Sequence, residues 1–374
     1  MKASKTMLIS SIWFLLVSPM AGQLVRNRPA HIADDRGIGE FRESWRVLDP
    51  ITRRNLSIYP VVSALKVDTS RFLTLDQGLA KGEVRIAERG ELQDAMYRRR
   101  GGRDWPPMTE ERPQYQGASV NELMLVNMSD RPLLLLAGEV VSGGKQNRII
   151  GADVIVPPKS DPLPLSVFCV EHGRWSSSPG GFGAGGFIAH PEIRKEAQVN
   201  KSQSGVWGSV ARSEQALAAP ASPTSSYLDT VNSPQAKRAL DEAAASIDEQ
   251  YERELRSKVG GSGAVGVVVA INGEIVWSDI FPSAELFRQY WPKLLRSYVL
   301  EAEGHSKKFS DPPSTKTAQA FLFEDGGRLT VHEEPGVYRR TEIAGGEYQI
   351  VAIEAVDKLA GSGLLMHYNK MTRD

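Results

Sequence analysis

Two short stretches concentrate side chains able to do chemistry. Gly138-Glu139-Val140-Val141-Ser142-Gly143-Gly144-Lys145-Gln146-Asn147-Arg148 sets one carboxylate ahead of a glycine pair, two cations and two amides. Cys169-Val170-Glu171-His172-Gly173-Arg174-Trp175 adds a second carboxylate, an imidazole, a guanidinium and an indole. If their strands are neighbours, Glu139 and Glu171 face one site, and paired carboxylates act as general acid and base when one is buried enough to keep its proton. Lys145, Arg148 and Arg174 would then hold an anion. Gln146 and Asn147 would read hydroxyls or amides, and Trp175 would stack on a ring or sugar face. His172, between Glu171 and Arg174, would carry a charge responsive to pH. A nucleotide phosphate loop is excluded, because that motif needs a glycine where Glu139 stands and a hydroxyl where Gln146 stands.

The same residues have an architectural reading. Glu139 with Arg148, or Glu171 with Arg174, would tie loops together as partly buried ion pairs, with Trp175 packed in the core. Other chemistry is weaker. His31, His172, His190, His305, His332 and His367 form no helical His/Glu pair and no Cys/His zinc spacing, so they name no metal site. Apart from His172 they read as isolated surface residues. Cys169, the single cysteine, lies in an apolar run and reads as a small buried residue, and it excludes an intramolecular disulfide.

Lysine plus arginine equals aspartate plus glutamate at 45 each, which argues against nucleic acid or an anionic membrane surface as partner. The locally basic Arg98-Arg99-Arg100 lies in a polar stretch that reads as an exposed loop. Residues 1–22 have the layout of a secretory signal: lysines at 2 and 5, an apolar run from Met7 to Val17, then Ser18-Pro19-Met20-Ala21-Gly22. The expectation is an extracytoplasmic protein, periplasmic or secreted, with no stable membrane insertion once the signal is removed. Residues 23–44 are polar without periodicity and read as a flexible tail.

From Trp45 onward the elements that must position the two stretches are mostly strands. Leu56–Val62 and Glu83–Glu88 read as strands, with a helical turn or two between them over Leu75–Lys81. Glu122–Asn127 and Leu133–Leu136 read as a hairpin through Met128-Ser129-Asp130-Arg131-Pro132. Ile149–Val156 and Leu163–Val170 follow, and the glycine-rich 176–187 reads as a mobile surface loop. Gln203–Leu217 has helical spacing and 218–235 reads as a break. Ser233-Pro234 starts a second helix carrying Leu240, Ala243, Ala244, Ile247, Tyr251 and Leu255. Asn272-Gly273 is a strong hairpin signal between Ala264–Ile271 and Glu274–Trp277. Ser283 caps a further helix that Pro292 kinks or divides. Gln319–Phe323, Val337–Arg340 and Tyr348–Ile353 read as closing strands. Consecutive strands with short connections predict an α+β protein: a mostly antiparallel sandwich- or barrel-like sheet with packed helices and a late hairpin plus helix.

Asn55-Leu56-Ser57-Ile58-Tyr59-Pro60, the Gly138–Arg148 and Cys169–Trp175 stretches and the Ile271-Asn272-Gly273 hairpin, in that order, resemble the ARPP-1 family. Its name records association with ADP-ribosylglycohydrolase and rhodanese-phosphatase domains. The resemblance runs from about Trp45 to the C-terminus and so implies one domain over 45–374. It hands down no established activity or cofactor, only a neighbourhood in nucleotide or ADP-ribose metabolism. The expectation is an exported binding or interaction module for an anionic or sugar-containing small molecule. The alternative is a hydrolase of a nucleotide- or ADP-ribose-like ligand acting through Glu139 and Glu171. Protein partners stay open.

Overall fold

The computed structural model describes residues 29–30, 36–88, 121–174, 178–217, 222–259, 263–305, 310–356 and 363–373. The signal over 1–22, the Arg98–Arg100 stretch and Trp175 lie outside them.

Gly266–Ile271 is apolar without alternation, as is Ile350–Ile353 within Tyr348–Ala355, and in a strand this requires burial on both faces. They form β14 (Gly266–Ile271) and β18 (Tyr348–Ala355) of a ten-stranded sheet. Val267, Val269 and Ile271 enter one core while Val268 and Ala270 enter another; Val351 and Ile353 likewise face away from Ile350 and Ala352. The sheet order begins with β1 (Pro29–Ala30), β16 (Gly327–Glu334), β17 (Tyr338–Ala344), β18 and β19 (Leu364–Thr372). It continues through β15 (Glu274–Ile280), β14, β4 (Leu56–Ser63) and β2 (Trp45–Val47), with β3 (Ile51–Arg53) also on β4. All these pairings are antiparallel.

One face packs against α1 (Arg36–Glu43) and α8 (Thr315–Phe323), through Ile38, Ala318 and Leu322. The other carries α3 (Pro191–Gln198), α4 (Gln203–Ala216), α5 (Tyr227–Asn232), α6 (Pro234–Val259) and α7 (Ala284–Gly304). Beyond them lies a closed barrel of β6 (Val84–Ala87), β7 (Glu122–Asn127), β12 (Leu163–Cys169), β10 (Arg148–Ile150), β9 (Glu139–Gly144) and β13 (Ser178–Ile188). Its core joins a small sheet of β5 (Leu73–Thr74), β8 (Leu133–Leu135) and β11 (Val154–Val156) beside α2 (Leu75–Ala80). On β9, Val140 faces the helices and Val141 the barrel interior, so one strand serves both cores.

The α+β expectation with its barrel-like antiparallel sheet holds, as does the late hairpin. Asn272 and Gly273 take φ of 52° and 83°, the left-handed values a two-residue hairpin loop needs. Several local expectations do not hold. Strands β7 and β8 are not a hairpin: β7 pairs β6 and β12, whereas β8 pairs β5 and β11. The turn forms, but Asn127 donates to both Arg131 O (2.7 Å) and Pro157 O (3.0 Å), making it a corner between two sheets. The glycine-rich 176–187 is not a loop where described; it is strand β13. A Cβ at Gly185 would sit 2.8 Å from Val140, so the small residues let two backbones approach. Gln319–Phe323 is helical, because Ser314 caps Thr317 N and Ala318 and Leu322 share the buried face. Residues 36–43, within the expected tail, form α1, held by buried Arg42 to Asp325 and to Leu322 O. Part of the expected 218–235 break is α5, and α7 runs through Pro292 as one helix.

Candidate functional site

Strand β9 runs into its turn with β10 through Gly143 and Gly144, at φ of +134° and +51°, a conformation that side chains resist. It exposes inward-pointing backbone donors, and buried carboxylates meet them. Asn147 N donates to Glu171 Oε2 (3.0 Å) and Lys145 N to Glu88 Oε1 (3.3 Å). Arg174 closes the arrangement. Its Nε donates to Glu171 Oε1 (2.9 Å), its Nη2 to Oε2 (2.8 Å) and its Nη1 to Gly144 O (2.9 Å). Thr224 donates a further hydrogen bond to Glu171. Burial pushes the Glu171 carboxyl up, but the bonds from Arg174, Asn147 and Thr224 outweigh it and hold it below the usual carboxylate range. Asn147 also accepts from Gly143 N, and buried Arg148 lies on β10 opposite Cys169. Cys169 itself is buried.

Two groups on this turn keep binding capacity. Lys145 is half-buried and forms no ion pair with a described residue. Gln146 is fully buried; its Nε2 donates to His172 O (3.4 Å), which fixes the amide orientation, and its Oε1 has no hydrogen-bond partner among the described residues. His172 is exposed, its ring edge-on to Trp207 with centroids 4.5 Å apart.

Glu139 is elsewhere. Its neighbour Val140 pairs with Ile149, which places Glu139 level with Ile150 and hence with Val167. From Val167 to Glu171 is about 13 Å along the strand direction. Glu139 accepts from Leu136 N (2.9 Å) and from Lys293 on α7 (2.7 Å), which also reaches Asp76 (2.8 Å). Burial opposes the Lys293 charge, but the two carboxylates hold it protonated. The structure therefore separates Glu139 from Glu171, forms the Glu171–Arg174 pair, and gives Glu139 to Lys293 instead of Arg148.

Two clusters escaped sequence reasoning because their members are scattered. His190 and His367, read as surface residues, are buried. His367 bridges Asp153 (Nδ1, 2.6 Å) and Asp279 (Nε2, 3.0 Å). Asp279 also takes both Arg194 terminal nitrogens at 2.8 Å, Trp277 Nε1, Asn369 Nδ2 and the Tyr298 hydroxyl. Burial disfavours the imidazolium, yet the flanking aspartates push His367 up to about 9. This fully buried network ties the residue before β11 to α3, α7 and the large sheet, and with every carboxylate oxygen of Asp153 and Asp279 engaged its role is architectural.

The second cluster lines a cleft of about 270 Å³ between α3, α4 and α7. His190 precedes α3, where Pro191 suits the first turn. Its Nδ1 lies 2.7 Å from Glu301 and its Nε2 lies 2.6 Å from Ser213 Oγ. Glu301 also accepts from Glu192 N (3.0 Å) and lies 3.3 Å from His305 Nε2. Burial raises the Glu301 carboxyl, but the two histidines and that backbone N–H overcome it and keep the group ionised. Glu301 in turn pushes His305 up. Donor atoms of His190, Glu192 and Glu301 come within 4.8 Å of one another, as a metal site would require. Each already has a partner, Ser213 and Arg212 among them, so the arrangement is a hydrogen-bond relay.

Among the described residues no helix is long and apolar enough to cross a membrane. Comparison with curated proteins and with solved structures finds no match. A family model described as the ARG and Rhodanese-Phosphatase-superfamily-associated Protein domain matches residues 44–370, and the chain therefore belongs to the ARPP-1 family.

Proposed function

We propose that this ARPP-1 protein acts outside the cytoplasm as a binding module for a small molecule carrying both an anionic group and sugar-like hydroxyls, held at the β9–β10 turn. Buried Gln146 Oε1 beside Lys145, without a partner among the described residues, carries the reading. An unsatisfied buried carbonyl costs free energy until a donor such as a hydroxyl reaches it. Lys145 supplies the charge for the anion, while Arg174 and Glu171, spent on each other, hold the turn in shape. Hydrolysis through paired Glu139 and Glu171 has no support in this geometry, since the two carboxylates have separate partners at separate heights on the barrel.

The test is thermal denaturation of the exported protein with ADP-ribose, sugar phosphates, nucleotides and orthophosphate. A ligand at a hundred times its Kd stabilises by about 2.7 kcal/mol. The shift should disappear in Lys145→Ala and Gln146→Ala while the unliganded melting temperature of Lys145→Ala stays unchanged. Equal shifts in the parent and Lys145→Ala, or none with any probe, would refute the reading.

A further inference from the structure

The relay in the α3–α4–α7 cleft has no role in the reading above. It joins three groups from residues 190, 213 and 301 at hydrogen-bonding distance, in an order with chemical meaning. Ionised Glu301 is an acceptor only, so the hydrogen it shares with His190 sits on Nδ1. Nε2 faces the Ser213 hydroxyl at 2.6 Å; that hydroxyl donates to Ser209 O (3.0 Å) and must turn from this carbonyl to hand its proton to the ring. Carboxylate, imidazole and hydroxyl in this sequence make a weak nucleophile reactive, because the imidazole takes the proton as the oxygen attacks. Glu301 is itself held by the Glu192 backbone and His305, which orients the base. All three members line one cleft, with Val276, Trp277 and Leu300 as an apolar floor.

We infer that this cleft is a hydrolytic site in which Ser213 is the nucleophile, His190 the general base and Glu301 the residue that orients it, acting on small carboxylic esters. The acyl part lies on the apolar floor. Ser213 Oγ bonds to the carbonyl carbon as its proton passes to His190 Nε2. The C–O bond to the alcohol then breaks, and the alkoxide leaves with that proton. Water then adds to the acyl carbonyl as His190 takes its proton, the C–O bond to Ser213 breaks, the carboxylic acid leaves, and His190 returns the proton to Ser213 Oγ. Arg212, adjacent in sequence and on the cleft wall, stabilises the oxyanion. Its Nη2 is engaged by Glu192 and Ser209, and a guanidinium has further N–H donors.

The experiment treats the full chain with a fluorophosphonate and maps the adduct by mass spectrometry, then measures hydrolysis of p-nitrophenyl acetate and butyrate. The expected adduct is on the Ser213 peptide, and Ser213→Ala should lose more than about 100-fold in turnover at an unchanged melting temperature. Glu301→Gln should lower kcat more than KM. Adduct formation and ester turnover are read with no ligand of the β9–β10 turn present, so this site and that turn fail or succeed separately. If Ser213→Ala does not fold, adduct mapping on the parent still decides. No adduct on Ser213, or turnover that survives Ser213→Ala and is abolished by a chelator, would overturn the inference, the latter in favour of a cation on His190, Glu192 and Glu301.

Discussion

His367 offers a test of the buried network that stability measurements can read. Its imidazolium sits between Asp153 and Asp279 with no exposed surface, and the two aspartates lift its folded-state value from 6.5 to about 9. A raised value means that the folded protein binds the proton more tightly than the unfolded chain. The resulting stabilisation is complete below the unfolded value and is lost as pH rises through the folded one. At roughly 1.4 kcal/mol per pH unit, the loss amounts to about 3 kcal/mol. The stability curve of the parent alone would hide it. Burial depresses Lys370 to about 7, so that residue adds stability over much of the same range. The comparison is therefore with His367→Gln, measured by urea unfolding at pH 6, 8 and 10. The parent should exceed the variant by about 3 kcal/mol more at pH 6 than at pH 10. A gap that does not change with pH would mean that His367 is neutral in the folded protein, and the charge assignment would be wrong.

Substitutions at three further positions probe the scaffold around the proposed binding turn. Arg174→Ala leaves Glu171 nearly buried without its cation and frees the Gly144 carbonyl; chemical denaturation should show a loss of about 3 kcal/mol. Arg174→Lys should recover little, since an ammonium cannot reproduce the forked contact. Gly143→Ala places a Cβ 2.3 Å from Gly181 O at positive φ, so β9 and β13 must separate, and calorimetry should show a melting temperature several degrees lower. Leu135→Ala, at a fully buried position, should cost about 2–5 kcal/mol in urea unfolding with the β9–β10 turn intact.

Some of this molecule was legible one stretch at a time. The Asn272-Gly273 turn, the Ser283 cap and the Pro234 helix start depend on groups within a few residues, and each formed as its chemistry requires. The Glu171–Arg174 pair was legible for the same reason, since its partners are three residues apart. The helix over 315–323 was misread because Phe321-Leu322-Phe323 is apolar enough to resemble a strand, whereas the deciding bond is the Ser314 cap just before it.

The sequence by itself determined the turns, the caps and the both-faces-buried character of β14 and β18, because those follow from local backbone preferences and side-chain polarity. Which strands became neighbours was decided only in three dimensions. Residues 178–188 became a strand because β9 supplied a backbone against which glycines could close. Long-range contact likewise chose the charge partners: Lys293 reaches Glu139 across 154 residues, and Glu301 reaches His190 across 111. A buried charge takes whichever opposite charge the folded chain brings within a few ångströms, and proximity along the chain does not specify that partner.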